Sequence, residues 1–138
     1  MNKKIFELLN AIESSNCVES DDIEFKAAQG KNNEGELPKD FWRSYAAMAN
    51  TGGGVITLGV KENSDQTFEV IGIKNTTKVI KDFWNTVNNK EKISENLLTS
   101  DDVNELTIDD KKVITFSIPR ASRKQRPIYI GQNPMLGT

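Results

Sequence analysis

The stretch Ala49-Asn50-Thr51-Gly52-Gly53-Gly54-Val55-Ile56-Thr57-Leu58-Gly59-Val60 restricts the fold more than any other part of the chain. Three consecutive glycines end a preceding helix, because glycine accepts the left-handed backbone of a helix C-terminal stop. The apolar run that follows, residues 55–60, is short enough to be a central strand. A helix must therefore turn sharply into a buried strand. In a dinucleotide-binding fold the order is reversed, a strand leading through glycines into a helix, so a doubly wound nucleotide-binding architecture is disfavoured. Nor is this a Walker-type loop, since no Gly-Lys-Ser/Thr follows it. The glycines either leave amide groups open to a ligand, with Asn50 and Thr51 adding polar side chains, or serve close helix-to-strand packing alone.

The remaining elements follow from periodicity and turn chemistry. Ile5, Leu8, Leu9 and Ile12 recur at helical spacing, which predicts an amphipathic helix over residues 2–13, closed by Ser14, Ser15 and Asn16. Val18 and residues 23–27 read as strand, and the polar stretch 29–36 reads as a mobile loop. Pro38 suits the first turn of the next helix and Asp40 complements its dipole. Phe41, Tyr45, Met48 and Ala49 form its apolar face up to Asn50. Residues 68–73 are the expected antiparallel neighbour of 55–60, across the polar loop 62–66. Residues 76–89 are helical, with Val79, Ile80, Phe83 and Val87 inward. Residues 103–108 and 113–118 flank the turn Asp109-Asp110-Lys111 as a hairpin, and 128–130 form a last strand. Strands outnumber helices and hairpin-length loops join them. The fold class is α+β: a single domain in which two or three helices cover a mixed or antiparallel sheet. At 138 residues and 36% hydrophobic content, one core of this kind is stable without staples.

Composition matters for what it removes. Histidine is absent and Cys17 is the one cysteine, which excludes imidazole bases, Ser-His-Asp and Cys-His triads, imidazole zinc sites and an internal disulfide. The lone thiol fits a cytoplasmic chain. Behind Lys3 and Lys4 there is no signal-peptide pattern, and no stretch has membrane-spanning length, so no membrane partner is expected. Residues 133–138 have neither a cap nor a polar tail, as expected for the N-terminal part of a longer protein. The net charge of −2 does not point to nucleic acid, but its distribution does. Residues 91–110 hold seven acids (Glu91, Glu95, Asp101, Asp102, Glu105, Asp109, Asp110) against Lys92. Residues 111–138 hold six bases (Lys111, Lys112, Arg120, Arg123, Lys124, Arg126) and no acid. A focused positive patch concentrates polyanions, and the acidic stretch is expected on another face.

Three groups of residues are candidates for chemistry. The first is the glycine turn, Asn50, Thr51, Gly52, Gly53 and Gly54. The second is carboxylate. Glu24 and Lys26 stand two apart, hence on one face of a strand, an arrangement that holds a cation and steadies an attacking water in metal-dependent nucleases. Glu19 joins them only if the chain bends near Asp21 and Asp22, and Glu62 sits just past the strand 55–60. The third is Pro119-Arg120-Ala121-Ser122-Arg123-Lys124-Gln125-Arg126-Pro127, which carries four bases between two prolines and suits phosphate contacts. Phe41, Trp42 and Tyr45 lie at helical spacing and read as core rather than as base-stacking platforms.

Together these pieces resemble the Schlafen/AlbA-like domain, also labelled a DNA-binding or divergent AAA-type ATPase domain. The likeness spans Val18 to about Tyr129. It rests on Glu19-Ser20-Asp21-Asp22-Ile23-Glu24-Phe25-Lys26, on Leu37-Pro38 opening a helix that ends in Ala46-Ala47-Met48-Ala49-Asn50-Thr51-Gly52-Gly53-Gly54, on Leu58-Gly59-Val60-Lys61-Glu62, and on residues 119–129. In Schlafen relatives the resemblance implies an RNA-cleaving site of three carboxylates, which map here onto Glu19, Glu24 and Glu62, with Mg²⁺ or Mn²⁺ as the cofactor and Lys26 beside them. The last position is usually Asp in the family, and Glu reaches one methylene further. Bacterial members resemble N-terminal modules of transcriptional regulators. The expected function is therefore nucleic-acid binding through Asn50, Thr51, Gly52, Gly53, Gly54, Arg120, Ser122, Arg123, Lys124 and Arg126. Metal-dependent nuclease activity is the alternative and ATP binding the weaker one. The expected partners are DNA or RNA, a second copy of the chain as a homodimer, and C-terminal domains of the same polypeptide.

Overall fold

The computed structural model describes residues 23–30, 34–65, 68–108 and 110–131. The helix expected over 2–13, together with Cys17, Val18, Glu19 and residues 133–138, lies outside these. Along the chain run β1 (Ile23–Lys26), α1 (Phe41–Ala49), β2 (Gly54–Leu58), β3 (Val60–Glu62), β4 (Phe68–Val70), α2 (Thr76–Val87), a 3₁₀ turn (Ser100–Asp102), β5 (Val103–Ile108) and β6 (Lys111–Ile118). Every residue of β2 is buried. That strand lies between β1, parallel to it, and β6, antiparallel to it, and β5 completes a mixed sheet of order β1-β2-β6-β5. With α1 and α2 this is the α+β domain expected.

Alternation along the strands makes two apolar faces. On one, Ile56 pairs with Phe116 and Leu58 with Ile114, and these pack with Phe41, Tyr45, Met48, Val79, Phe83 and Val87 of the two helices. Phe83 lies 4.7 Å from Phe116 between ring centroids and stacks on Trp42 at 5.4 Å. Burying each such phenylalanine is worth roughly 1.5–3 kcal/mol. On the other face, Phe25, Val55, Ile108 and Val113 pack with Val60 and Phe68. Thr57 and Thr115 are register partners at the centre of the sheet, buried, with hydroxyls that find no hydrogen-bond partner among the described residues.

Several local expectations are corrected. The apolar run 55–60 is two strands. Gly59 has φ of +102°, and a Cβ there would stand 3.1 Å from Val113 Cγ1. Its N–H still donates to Lys26 O at 2.9 Å, but the chain then leaves the sheet. Val60–Glu62 pairs antiparallel with Phe68–Val70 in a separate two-stranded ribbon, so residues 68–73 neighbour β3 and not β2. Helix α1 begins at Phe41, after a turn closed by Phe41 N–H to Pro38 O. Asp40 makes no side-chain cap. The hairpin turn is tighter than expected: Ile108 pairs with Lys111, and Asp110 takes the positive φ of 64° that a two-residue hairpin turn demands. Residues 128–130 contribute only the bridge of Ile130 with Ile93, because the Ile128 backbone is bonded by a side chain. The described ends of the loop 29–36 are tied down by Gly35 N–H to Gln29 O and Glu36 N–H to Ala28 O. Among the described residues no helix is long and apolar enough to cross a membrane.

Candidate functional site

The end of α1 consumes most of the glycine-turn amides. Asn50 N–H donates to Ala46 O at 3.0 Å, Thr51 N–H to Met48 O at 3.2 Å and Gly53 N–H to the same oxygen at 2.8 Å. The Thr51 hydroxyl donates to Ala47 O at 2.9 Å. These groups face the negative end of the helix dipole, which disfavours an anion at the turn itself. Gly52 differs: it is exposed, and its N–H donates to no group among the described residues.

The same junction holds the basic loop. Ala121 N–H donates to Ala49 O at 2.8 Å. Asn50 Nδ2 donates to Ile128 O at 2.8 Å, and its Oδ1 accepts from Ile128 N–H at 2.7 Å, so one carboxamide pairs with a backbone as a strand residue would. Between the two clamps, Ser122 O accepts from Gln125 N–H and Arg126 N–H, and Gln125 Oε1 accepts from Ser122 N–H at 2.9 Å. Arg120, Ser122, Arg123 and Lys124 are exposed and Arg126 is half-buried. None of these four bases forms an ion pair with a described residue. Lys111 and Lys112 lie at the far end of β6, so the six bases of the C-terminal stretch form two separate groups.

Where the turn meets the loop, a cleft of about 250 Å³ opens, with Gly52, Gly54, Ser117, Arg120 and Asp102 among its lining residues. Asp102 corrects the expectation that the acidic stretch lies wholly on another face. Sequence reasoning also missed it as a site residue: Thr99-Ser100-Asp101-Asp102 has the capping-box spacing that marks the turn, but nothing local says that the turn carries a carboxylate to the glycines.

The carboxylate candidates are arranged differently. Glu24 and Lys26 share one face of β1, as their spacing predicts, with Nζ 3.3 Å from Glu24 Oε2. The same ammonium lies 3.0 Å from Asp40 Oδ2, and its side chain is 13% exposed. Lys26 is thus held between two carboxylates, with its charge neutralised. Glu62 is exposed at the end of β3, and Glu19 lies outside the described residues. Among the described residues no group of three or more His, Cys, Asp or Glu is placed to hold a metal ion. Phe41 and Tyr45 are core, as expected. The Tyr45 hydroxyl donates to Glu95 O at 2.7 Å and accepts from Leu97 N–H at 3.1 Å. Burial pushes its pKa up to about 12, the Leu97 bond acting in the opposite sense and the Glu95 charge adding to the rise.

A family profile described as Schlafen, AlbA_2 matches residues 19–134. Among solved structures, the chain is similar to the N-terminal domain of a Nitrosomonas europaea protein named as related to the ATP-dependent DNA helicase RecG. The TM-score is 0.72 at 21% identity, covering 96% of this chain and 83% of that one. It is also similar to the DIP2311 protein of Corynebacterium diphtheriae, with a TM-score of 0.53 at 18% identity, covering 91% of this chain and 22% of the other. At these identities the likeness is one of fold. No curated protein matches the sequence.

Proposed function

Because the chain belongs to the Schlafen, AlbA_2 family, we propose that it is a nucleic-acid-binding module within a longer bacterial regulator of transcription. The observation that carries this reading is the clamped loop. Among the described residues Arg120, Arg123, Lys124 and Arg126 form no ion pair, and the last three stand between Ala121 and Ile128, whose backbones are bonded to Ala49 and Asn50. Phosphate contacts of this kind position a strand without reading its sequence, so DNA and RNA are both substrates for the loop. The positive charge comes from the loop and not from the glycines, which sit at the wrong end of a helix dipole for a phosphate cradle. That placement, with no Walker lysine, argues against ATP.

Arg123→Ala combined with Lys124→Ala tests the reading. In fluorescence anisotropy across a salt series, the double variant should bind all sequences more weakly and lower the log–log salt slope by roughly 2. Unchanged affinity and slope would remove the loop from the interface.

Metal-dependent cleavage through Glu19, Glu24 and Glu62 is the competing proposal, supported by the shared face of Glu24 and Lys26. Glu24→Gln keeps the shape and removes the charge. On that reading wild type cleaves RNA or single-stranded DNA with Mn²⁺ and the variant does not, whereas a binding-only module shows no cleavage in either.

A further inference from the structure

The cleft beside Gly52 contains an arginine and a carboxylate that do not pair with each other. Arg120 and Asp102 both line it, and neither forms an ion pair with a described residue. A pocket for phosphate alone has no use for a carboxylate, which repels the anion. Asp102 is also held in place: its Oδ2 accepts from Thr99 N–H at 2.9 Å and from the Thr99 hydroxyl at 3.3 Å. Its Oδ1 takes no hydrogen bond from a described residue. A ligand seated between the two side chains must offer negative charge to Arg120 and an N–H donor to Asp102.

One nucleotide of a strand does both, through its phosphate and its base edge. We infer that the cleft takes a single unpaired nucleotide and favours a base with an exocyclic amino group, read by Asp102. This rests on the nucleic-acid reading above and adds a specificity to it. Cytosine, adenine and guanine present amino donors, whereas thymine and uracil flank their one N–H with two carbonyl oxygens that face a carboxylate unfavourably. In a duplex the pairing edge of the base is already occupied, so the cleft selects single strands. The cleft's size agrees. About 250 Å³ falls below the roughly 300–1,000 Å³ of pockets that enclose a whole small molecule, which suits one unit of a polymer. Gly52 contributes an open N–H and no Cβ at the rim, where a ligand must approach closely.

The test is anisotropy with fluorescent 15-nucleotide oligo(dC) and oligo(dT) at low salt, on wild type and Asp102→Asn. Asp102 is the partner of the Thr99 cap, and an asparagine carboxamide oxygen can still accept from Thr99 N–H, so the turn is kept while the cleft's free carboxylate oxygen becomes an NH₂ donor. Wild type should bind oligo(dC) on the order of five- to tenfold more tightly than oligo(dT), and in the variant the ratio should fall to about one or invert. A wild-type ratio near one overturns the inference, and so does a ratio that Asp102→Asn leaves unchanged. Displacement of the strand by an equal nucleotide concentration of free dCMP also overturns it, by giving the cleft to mononucleotides. Binding without preference, still lost on neutralising Arg123 and Lys124, leaves the nucleic-acid reading standing and this one fallen. Failure to bind either strand while duplex DNA or RNA of the same length still binds overturns this inference alone, and failure to bind any of them removes both.

Discussion

A Cβ at Gly53 would stand 2.6 Å from the Ile118 carbonyl oxygen, on a backbone with φ of +79°, whereas one at Gly52 would meet nothing within 4 Å. Adjacent glycines therefore answer to different constraints. Gly53→Ala should lower stability by about 2 kcal/mol or more in urea unfolding, from strain and overpacking together. Gly52→Ala should leave it within about 0.5 kcal/mol. If both variants unfold alike, the close approach of β6 is not what requires Gly53. Tyr45 supplies a pH test. Its folded pKa of about 12 stands above the ordinary 10, so between these values the unfolded phenol has lost its proton and the folded one has not. The unfolded state then binds fewer protons, and stability falls as pH rises through that window, by on the order of 2–3 kcal/mol from this group. Below pH 10 the group adds no slope. Urea unfolding at pH 9 and 11 should show the alkaline loss in wild type and a smaller one in Tyr45→Phe, the difference isolating Tyr45 from the lysines.

At the scale of elements, the part that sequence exposed is the part whose signal is local. The apolar face of α1, the spacing of Val79, Phe83 and Val87 in α2, and the hairpin of β5 and β6 all depend on residues within a few positions of one another. What escaped depends on distant partners. Nothing in residues 55–60 announces that Gly59 must clear Val113 and turn the chain into a second sheet. Nothing in residues 127–130 says that a side chain 78 positions earlier takes the hydrogen bonds of a strand. The site divides the same way: the glycine turn and the basic loop are legible as motifs, while their junction and Asp102 are tertiary. Asn50→Ala tests the junction. It strands the Ile128 N–H and C=O, which should cost about 1–3 kcal/mol in unfolding experiments. Because no base is removed, nucleic-acid affinity should drop through loss of loop placement while the salt slope stays at its wild-type value. A reduced slope would mean that the displaced loop no longer brings all of its bases to phosphate.

For the whole molecule, stability is concentrated where β2 and β6 lie side by side under both helices. Amide hydrogen exchange should be slowest in those two strands and faster in β3 and β4, since a two-stranded ribbon is marginal by itself. Equal protection across both sheets would show that they open as one unit. The basic loop belongs to neither sheet. It leaves at the end of β6 and is fastened at Ala121 and Ile128 to the last residues of a helix, so its tip bears no weight in the core. This makes residues 122–126 an interchangeable cassette. Their charge and length can diverge between related chains, or be exchanged by an engineer, while Ala49 and Asn50 keep presenting whatever segment is mounted there, and new targets become reachable without refolding the scaffold.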